Sequence, residues 1–152
     1  MTEINGLHLA YRGFVAGLAG AYVWAAIAMV IGGLMFGDPL MPLRPLAATV
    51  TPLAGTPEMA FVLGLAAVQA GGALVGMCFA YFFARFFTVR ATLTVAGPVV
   101  AVLVWALLAV LLDRAGMVEL TAAHQGIAAI ATIGFGAILG AGVPVRGEVT
   151  RG

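Results

Sequence analysis

A run of 26 residues without a charged side chain, residues 59–84, constrains the fold of this chain more than any other feature. About 20 consecutive apolar residues are enough for a helix to cross the hydrocarbon core of a bilayer. The run follows Thr56-Pro57-Glu58, in which Thr suits a helix cap, Pro suits the first helical position and Glu suits the positive end of the helix dipole. We therefore predict a membrane-spanning helix over about 57–84.

The composition extends this interpretation to the whole chain. Of its 152 residues, 63% are hydrophobic and 9% are charged, whereas soluble domains carry about a quarter charged residues. Three further apolar stretches predict spans at about 13–36, 91–112 and 121–143. We predict a single all-α transmembrane domain over 1–152, an integral membrane four-helix bundle. The net charge of +1, without a basic patch, argues against a nucleic-acid partner.

The outer loop between the first two predicted spans, residues 37–56, is rich in both proline and large apolar side chains. Pro39, Pro42 and Pro45 disfavour a regular helix in its first half, and their spacing favours polyproline II geometry. A loop this long and apolar is expected to lie on the bilayer interface or on another protein, or else to fold over its own bundle. The sequence leaves these two alternatives open.

The arginines are distributed unequally between the two ends of the four predicted spans. Lysine and arginine concentrate in cytoplasmic loops of membrane proteins. Two arginines, Arg44 and Arg114, would lie on one side. The other side would carry Arg12, Arg85, Arg90, Arg146 and Arg151. This asymmetry predicts that both termini face the cytoplasm.

Two sequence patterns occur twice. The sequence GALVG at 72–76 recurs as GAILG at 136–140. VAG at 15–17, followed by VWA at 23–25, recurs as VAG at 95–97 and VWA at 104–106, one residue further apart. The order of these patterns is the one expected of a duplicated helical hairpin with an axis along the membrane normal. Chance similarity is the alternative in a chain so rich in alanine and glycine.

Pairs of glycines spaced four residues apart allow two helices to approach closely, and close packing is what holds helices together in lipid. The chain has such pairs at Gly13 and Gly17, Gly72 and Gly76, and Gly136 and Gly140. We expect them to pack helices of this chain against one another. The alternative is a docking face for a partner.

Ionisable side chains inside a membrane usually mark function, and in the predicted spans only His124 qualifies, near the outer end of the fourth. We expect His124 to hydrogen-bond Glu119 or Gln125 at the surface; ligation of a pigment magnesium is the alternative. His8 would lie at the opposite surface, so one chain could not hold a haem between two histidines. No catalytic set, metal-binding cluster or phosphate-binding loop appears, and we predict that the protein is not an enzyme.

Three further side chains are candidates for binding a cofactor. Gln69 is strongly polar at mid-span, where we expect it to hydrogen-bond across helices, with a ligand contact as the alternative. Trp24 and Trp105 also lie near mid-span, where they either pack the interior or contact a lipid-like cofactor.

The sequence GFVAGL at 13–18, together with His124 and GAILG at 136–140, resembles a loose group of small four-helix bacterial membrane proteins of unknown function. That group often carries a histidine at the position of Gln69. The resemblance implies the architecture only. We expect a multi-pass protein of a bacterial inner membrane.

The lack of buried charge, the abundant glycines and the apolar loop favour a non-catalytic accessory subunit of a larger membrane complex, such as a respiratory or photosynthetic electron-transfer assembly. One alternative is a small homo-oligomeric transporter or channel. Another is a protein that binds an apolar cofactor (carotenoid, quinone or pigment) through Trp24, Trp105 and gaps at glycines. The sequence requires no cofactor, although bound lipid is expected, and the expected partners are other membrane subunits and the bilayer.

Overall fold

A computed structural model describes residues 6–51, 56–83, 86, 87, 89–116 and 121–144, and these ranges contain helices and no strand. The helices are α1 (Gly6–Phe36), α2 (Arg44–Val50), α3 (Pro57–Phe83), α4 (Arg90–Arg114) and α5 (Ala122–Gly142). All except α2 are long and apolar enough to cross a membrane. The predicted all-α architecture with four spans is therefore confirmed, and the chain is a multi-pass membrane protein. Helix α1 begins seven residues before the predicted first span.

The long helices are arranged in the order α3, α1, α5, α4. Within the described part of the chain, the helix pairs that pack closely are α1 with α3, α1 with α5, α4 with α5, and the short α2 with α3. Helices α3 and α4, at the two ends of this order, do not pack closely on each other. The bundle is therefore open along one seam, the line where α3 and α4 face each other.

Helices α1 and α3 cross where their backbones touch. A methyl group added to Gly17 would overlap the carbonyl oxygen of Gly72, and one added to Gly13 would overlap that of Gly76. Because the helices run in opposite directions, Gly17 faces Gly72 and Gly13 faces Gly76. This contact is the close approach that small residues permit in lipid.

Helices α4 and α5 cross through a similar contact. A methyl group on Gly97 would overlap the carbonyl oxygen of Gly136, and one on Gly140 would meet the carbonyl oxygen of Leu93. Pro98 lies inside α4 and its backbone contacts Gly136. The repeated sequence patterns thus make equivalent contacts in the two hairpins, as a duplicated hairpin predicts.

The connection after α1 does not adopt the expected polyproline II geometry. Gly37 has a φ of 69° and its N–H bonds to the carbonyl of Gly33 at 3.1 Å, which ends α1. Asp38 then accepts the backbone N–H of Leu40 at 3.0 Å and pairs with Arg44 at 3.0 Å. Polyproline II has no internal hydrogen bonds, so that prediction is wrong. The carboxylate of Asp38 supplies local acceptors that favour turns over an extended helix.

The rest of the described loop folds over its own bundle, which was one of the two alternatives. Leu43 and Ala47 are fully buried, and a methyl group added to Gly64 of α3 would meet the backbone of Leu43. Pro45 lies in the first turn of α2. The N–H groups of a first turn have no acceptor within the helix, so proline costs no hydrogen bond there. Leu43 and Ala47 are thus buried where α2 and the residue before it pack on α3.

Several charges used for the orientation lie outside the described residues, namely Arg85, Arg146 and Arg151. Arg90 and Arg114 lie at opposite ends of α4, as the predicted sides require. The orientation of the chain across the membrane stays a prediction.

Candidate functional site

A cavity of about 250 Å³ lies in the open seam between α3 and α4. Every described helix contributes to its lining. Helices α1 and α5 supply Trp24, Thr132 and Phe135, while the two flanking helices supply mainly small or aliphatic side chains together with Trp105. The remaining lining residues are Ala21, Leu46, Thr49, Ala67, Val68, Gly71, Gly72, Val75, Ala101, Val104, Leu108 and Leu112.

The two tryptophans singled out in the sequence meet at this cavity. The ring centroids of Trp24 and Trp105 are 6.5 Å apart with an angle of 48° between the ring planes, within the range of favourable aromatic pairs. Trp24 is 6% exposed, whereas Trp105 is only partly buried. The pair therefore forms a broad aromatic surface on one part of the lining.

A hydrogen bond holds Trp24 in place. Its indole N–H donates to the hydroxyl oxygen of Thr132 at 3.1 Å, and that hydroxyl donates to the carbonyl of Ala128 at 2.6 Å. The indole N–H of Trp105 has no hydrogen-bond partner among the described residues. Thr132 was missed in the sequence, where a hydroxyl in mid-span was the available signal.

Gln69 is not among the residues that line the cavity, and it lies three residues before Gly72, which packs on α1. Both of its amide atoms are buried, and neither has a hydrogen-bond partner within the described ranges. The expected bond across helices is therefore wrong. Near this point α3 contacts Gly17 and Ala21 of α1, which carry no polar side chain to pair with an amide.

Replacing Gln69 with methionine is expected to stabilise the protein, because a buried amide without a partner costs about 1–3 kcal/mol. We expect Gln69→Met to raise the free energy of unfolding by about 1 kcal/mol, measured by titration with sodium dodecyl sulfate in mixed micelles and followed by circular dichroism. Gln125→Met, on the exposed part of α5, is the matched control without such a gain. A loss of stability in Gln69→Met would mean that the amide is paired, for example with buried water.

His124 does make a surface hydrogen bond, but its partner differs from those expected. Its Nδ1 lies 2.6 Å from the hydroxyl oxygen of Thr121, which also caps the first turn of α5 by accepting the backbone N–H of His124 at 3.4 Å. Glu119 lies outside the described residues. Since α1 and α5 are antiparallel, the exposed His8 at the start of α1 lies at the other end of the bundle. The described residues contain no group of three side chains that could hold a metal ion.

The lining of the cavity carries no titratable side chain in the described part of the chain. It consists of aromatic and aliphatic surface with two threonine side chains, and one of its aromatic residues is Trp105, whose indole N–H has no partner among the described residues. Such a site binds by shape and dispersion, with few polar contacts to select orientation. No protein-family model, curated protein or solved structure matches this chain.

Proposed function

We propose that this protein is a non-catalytic membrane protein that binds an apolar small molecule between α3 and α4. The observation that carries the proposal is the cavity of about 250 Å³ on which Trp24 and Trp105 lie side by side. Helices in lipid associate through close packing rather than through the hydrophobic effect. An open seam therefore forgoes dispersion contacts, and an apolar molecule seated in it would restore them.

The volume of the cavity narrows the class of molecule. An apolar cavity of about 150 Å³ binds benzene, so this larger cavity of about 250 Å³ accommodates one substituted ring. A whole carotenoid or a tetrapyrrole pigment is much larger than one ring. Of the cofactors considered from the sequence, a quinone fits best, with its ring in the cavity and its chain leaving through the seam into the bilayer. An acyl chain of a bound lipid is the competing occupant.

The membrane and the orientation belong to the same proposal. We expect a bacterial inner membrane with both termini in the cytoplasm, supported by the larger number of arginines on that side. Labelling of single cysteines introduced near Arg12 and Arg44 with an impermeant maleimide would test this. Only the first is expected to be protected in intact cells.

A role as accessory subunit of a larger membrane complex, such as an electron-transfer assembly, remains a second candidate. Helix α4 packs closely only on α5 within the described residues, so much of its surface faces lipid or a partner. Extraction in mild detergent and native mass spectrometry separate the alternatives. A hetero-complex would support the accessory subunit, and a homo-oligomer would support a transporter or channel.

Uptake of durene, a benzene ring with four methyl groups, by protein in nanodiscs tests the binding proposal directly. We expect durene uptake above that of protein-free nanodiscs, saturating at one molecule per chain. The two tryptophans of the chain both line the cavity, so their fluorescence should change in parallel. Equal durene uptake by nanodiscs with and without the protein, together with unchanged tryptophan fluorescence, would refute the proposal.

A further inference from the structure

The two hairpins make equivalent glycine contacts, yet the two seams between the hairpins differ. By the sequence repeat, α4 is the counterpart of α1, and α3 is the counterpart of α5. Helix α1 packs closely on α5, whereas α4 does not pack closely on α3 within the described ranges. The closed seam between α1 and α5 therefore shows what the open seam lacks.

The ring of Phe135 packs α5 on α1 in the closed seam, and one edge of it reaches Gly72 of α3 at the wall of the cavity. The ring of Phe135 lies against Gly20, where an added methyl group would come 2.8 Å from the ring. Phe135 directly precedes Gly136, and its counterpart, which directly precedes Gly72, is Gly71. A methyl group added to Gly71 would have no atom within 4 Å. Empty space in the open seam thus occurs where the closed seam has a ring.

A hydrogen-bond acceptor is also missing from the open seam. Trp24 donates to Thr132, which lies four residues before Gly136. Trp105 has the place of Trp24 in the VWA pattern, which lies one residue further from VAG in α4 than in α1, and both tryptophans line the cavity. The counterpart of Thr132 is Val68, which has no acceptor in its side chain. Val68 thus brings no acceptor to the cavity lining, and the indole N–H of Trp105 has no partner among the described residues.

We infer that the molecule bound in the cavity is a single planar ring that carries a carbonyl oxygen, with the ring over Gly71 and the oxygen accepting the indole N–H of Trp105. The ring takes the place that Phe135 has in the closed seam, and the oxygen takes the role of the Thr132 hydroxyl. The inference rests on the proposed function and narrows it to molecules of the quinone type. A hydrocarbon carotenoid and an acyl chain both lack the ring oxygen.

Two ligands of nearly equal shape test whether a carbonyl oxygen of the ligand accepts a hydrogen bond from Trp105. Duroquinone and durene both carry four methyl groups on one ring, but only duroquinone has carbonyl oxygens. We expect the protein in nanodiscs to bind duroquinone about 3- to 30-fold more tightly than durene, the factor that one hydrogen bond in a membrane supplies. Uptake is measured by mass spectrometry after subtraction of the uptake by protein-free nanodiscs.

Variants on the lining locate the ring and the oxygen separately. Gly71→Phe should fill the cavity from within and abolish uptake of both ligands, while Gly71→Ala should retain it. Trp105→Phe should retain durene but lose the preference for duroquinone. Val68→Thr should weaken that preference too, because it gives Trp105 an acceptor from the chain, and it serves as the second test if Gly71→Phe fails to fold.

The outcomes distinguish this inference from the proposed function. Equal affinity for the two ligands, or a preference that survives in Trp105→Phe, would overturn the inference and leave binding of an apolar molecule intact. Uptake that persists in Gly71→Phe would place the ring elsewhere. Absence of uptake of both ligands in the unmodified protein would refute the proposed function itself.

Discussion

Replacing Gly17 with alanine is expected to lower the free energy of unfolding by about 1–3 kcal/mol, the usual cost of overpacking, and replacing it with isoleucine should cost more. The methyl group would overlap the carbonyl oxygen of Gly72. That oxygen belongs to the backbone of α3 and cannot rotate away as a side chain could. The helices would have to separate, and α1 and α3 would lose the close packing that holds them together in lipid.

The matched control for this change is Gly126→Ala in α5, where an added methyl group has no atom within 4 Å. Alanine is the better helix former by roughly 0.5–1 kcal/mol, so Gly126→Ala should leave stability unchanged or slightly higher. Titration of both variants with sodium dodecyl sulfate in mixed micelles, followed by circular dichroism, gives the comparison. Similar stabilities for the two variants would show that the α1–α3 crossing is looser than described.

Replacing Trp24 with alanine is expected to lower the free energy of unfolding by about 3 kcal/mol, at the lower end of the range for large-to-small changes at aromatic residues. The change removes the hydrogen bond to Thr132 and the contact with the ring of Trp105. Part of the usual cost is absent, because the unfolded helices would also keep this side chain in hydrocarbon. The lost contacts and the enlarged cavity account for the remainder.

Two milder variants divide this effect into its parts. Trp24→Phe keeps a ring and removes the N–H, while Thr132→Val keeps the shape and removes the acceptor. Each should cost about 0.6–2 kcal/mol, the range for hydrogen bonds between membrane helices. Unfolding in mixed micelles again provides the measurement. If Trp24→Ala lowered the free energy of unfolding no more than Trp105→Ala does, the tighter burial of Trp24 would not contribute to stability.

The open and closed seams differ in what their own side chains supply. In the closed seam, Phe135 and Thr132 complete the packing and the hydrogen bonding without any other molecule. The open seam has Gly71 and Val68 at the equivalent positions, which supply neither a ring nor a hydrogen-bond acceptor. An accessory subunit could still contain such a site, since binding a ring and joining a complex make use of different surfaces.

Much of the fold follows from the sequence, and the candidate site only in part. Uncharged runs predict the four long helices because the thickness of a bilayer sets their length. Trp24 and Trp105 were recognised as candidates, but their contact depends on helices distant in sequence. Gln69 was expected to find a partner, and it packs near glycine and alanine instead. The polyproline prediction failed because Asp38 forms local turns that a proline pattern does not reveal.

The sequence by itself determined that the protein lies in a membrane, how many spans it has and at which glycines its helices are able to touch. Each of these is a property of one continuous stretch. Only the tertiary structure decided which helices do touch, and that α3 and α4 leave a cavity between them. The importance of Gly71, Val68 and Thr132 became visible there. The reason is physical: a gap is defined by side chains that face each other across different helices, and no single stretch contains both sides.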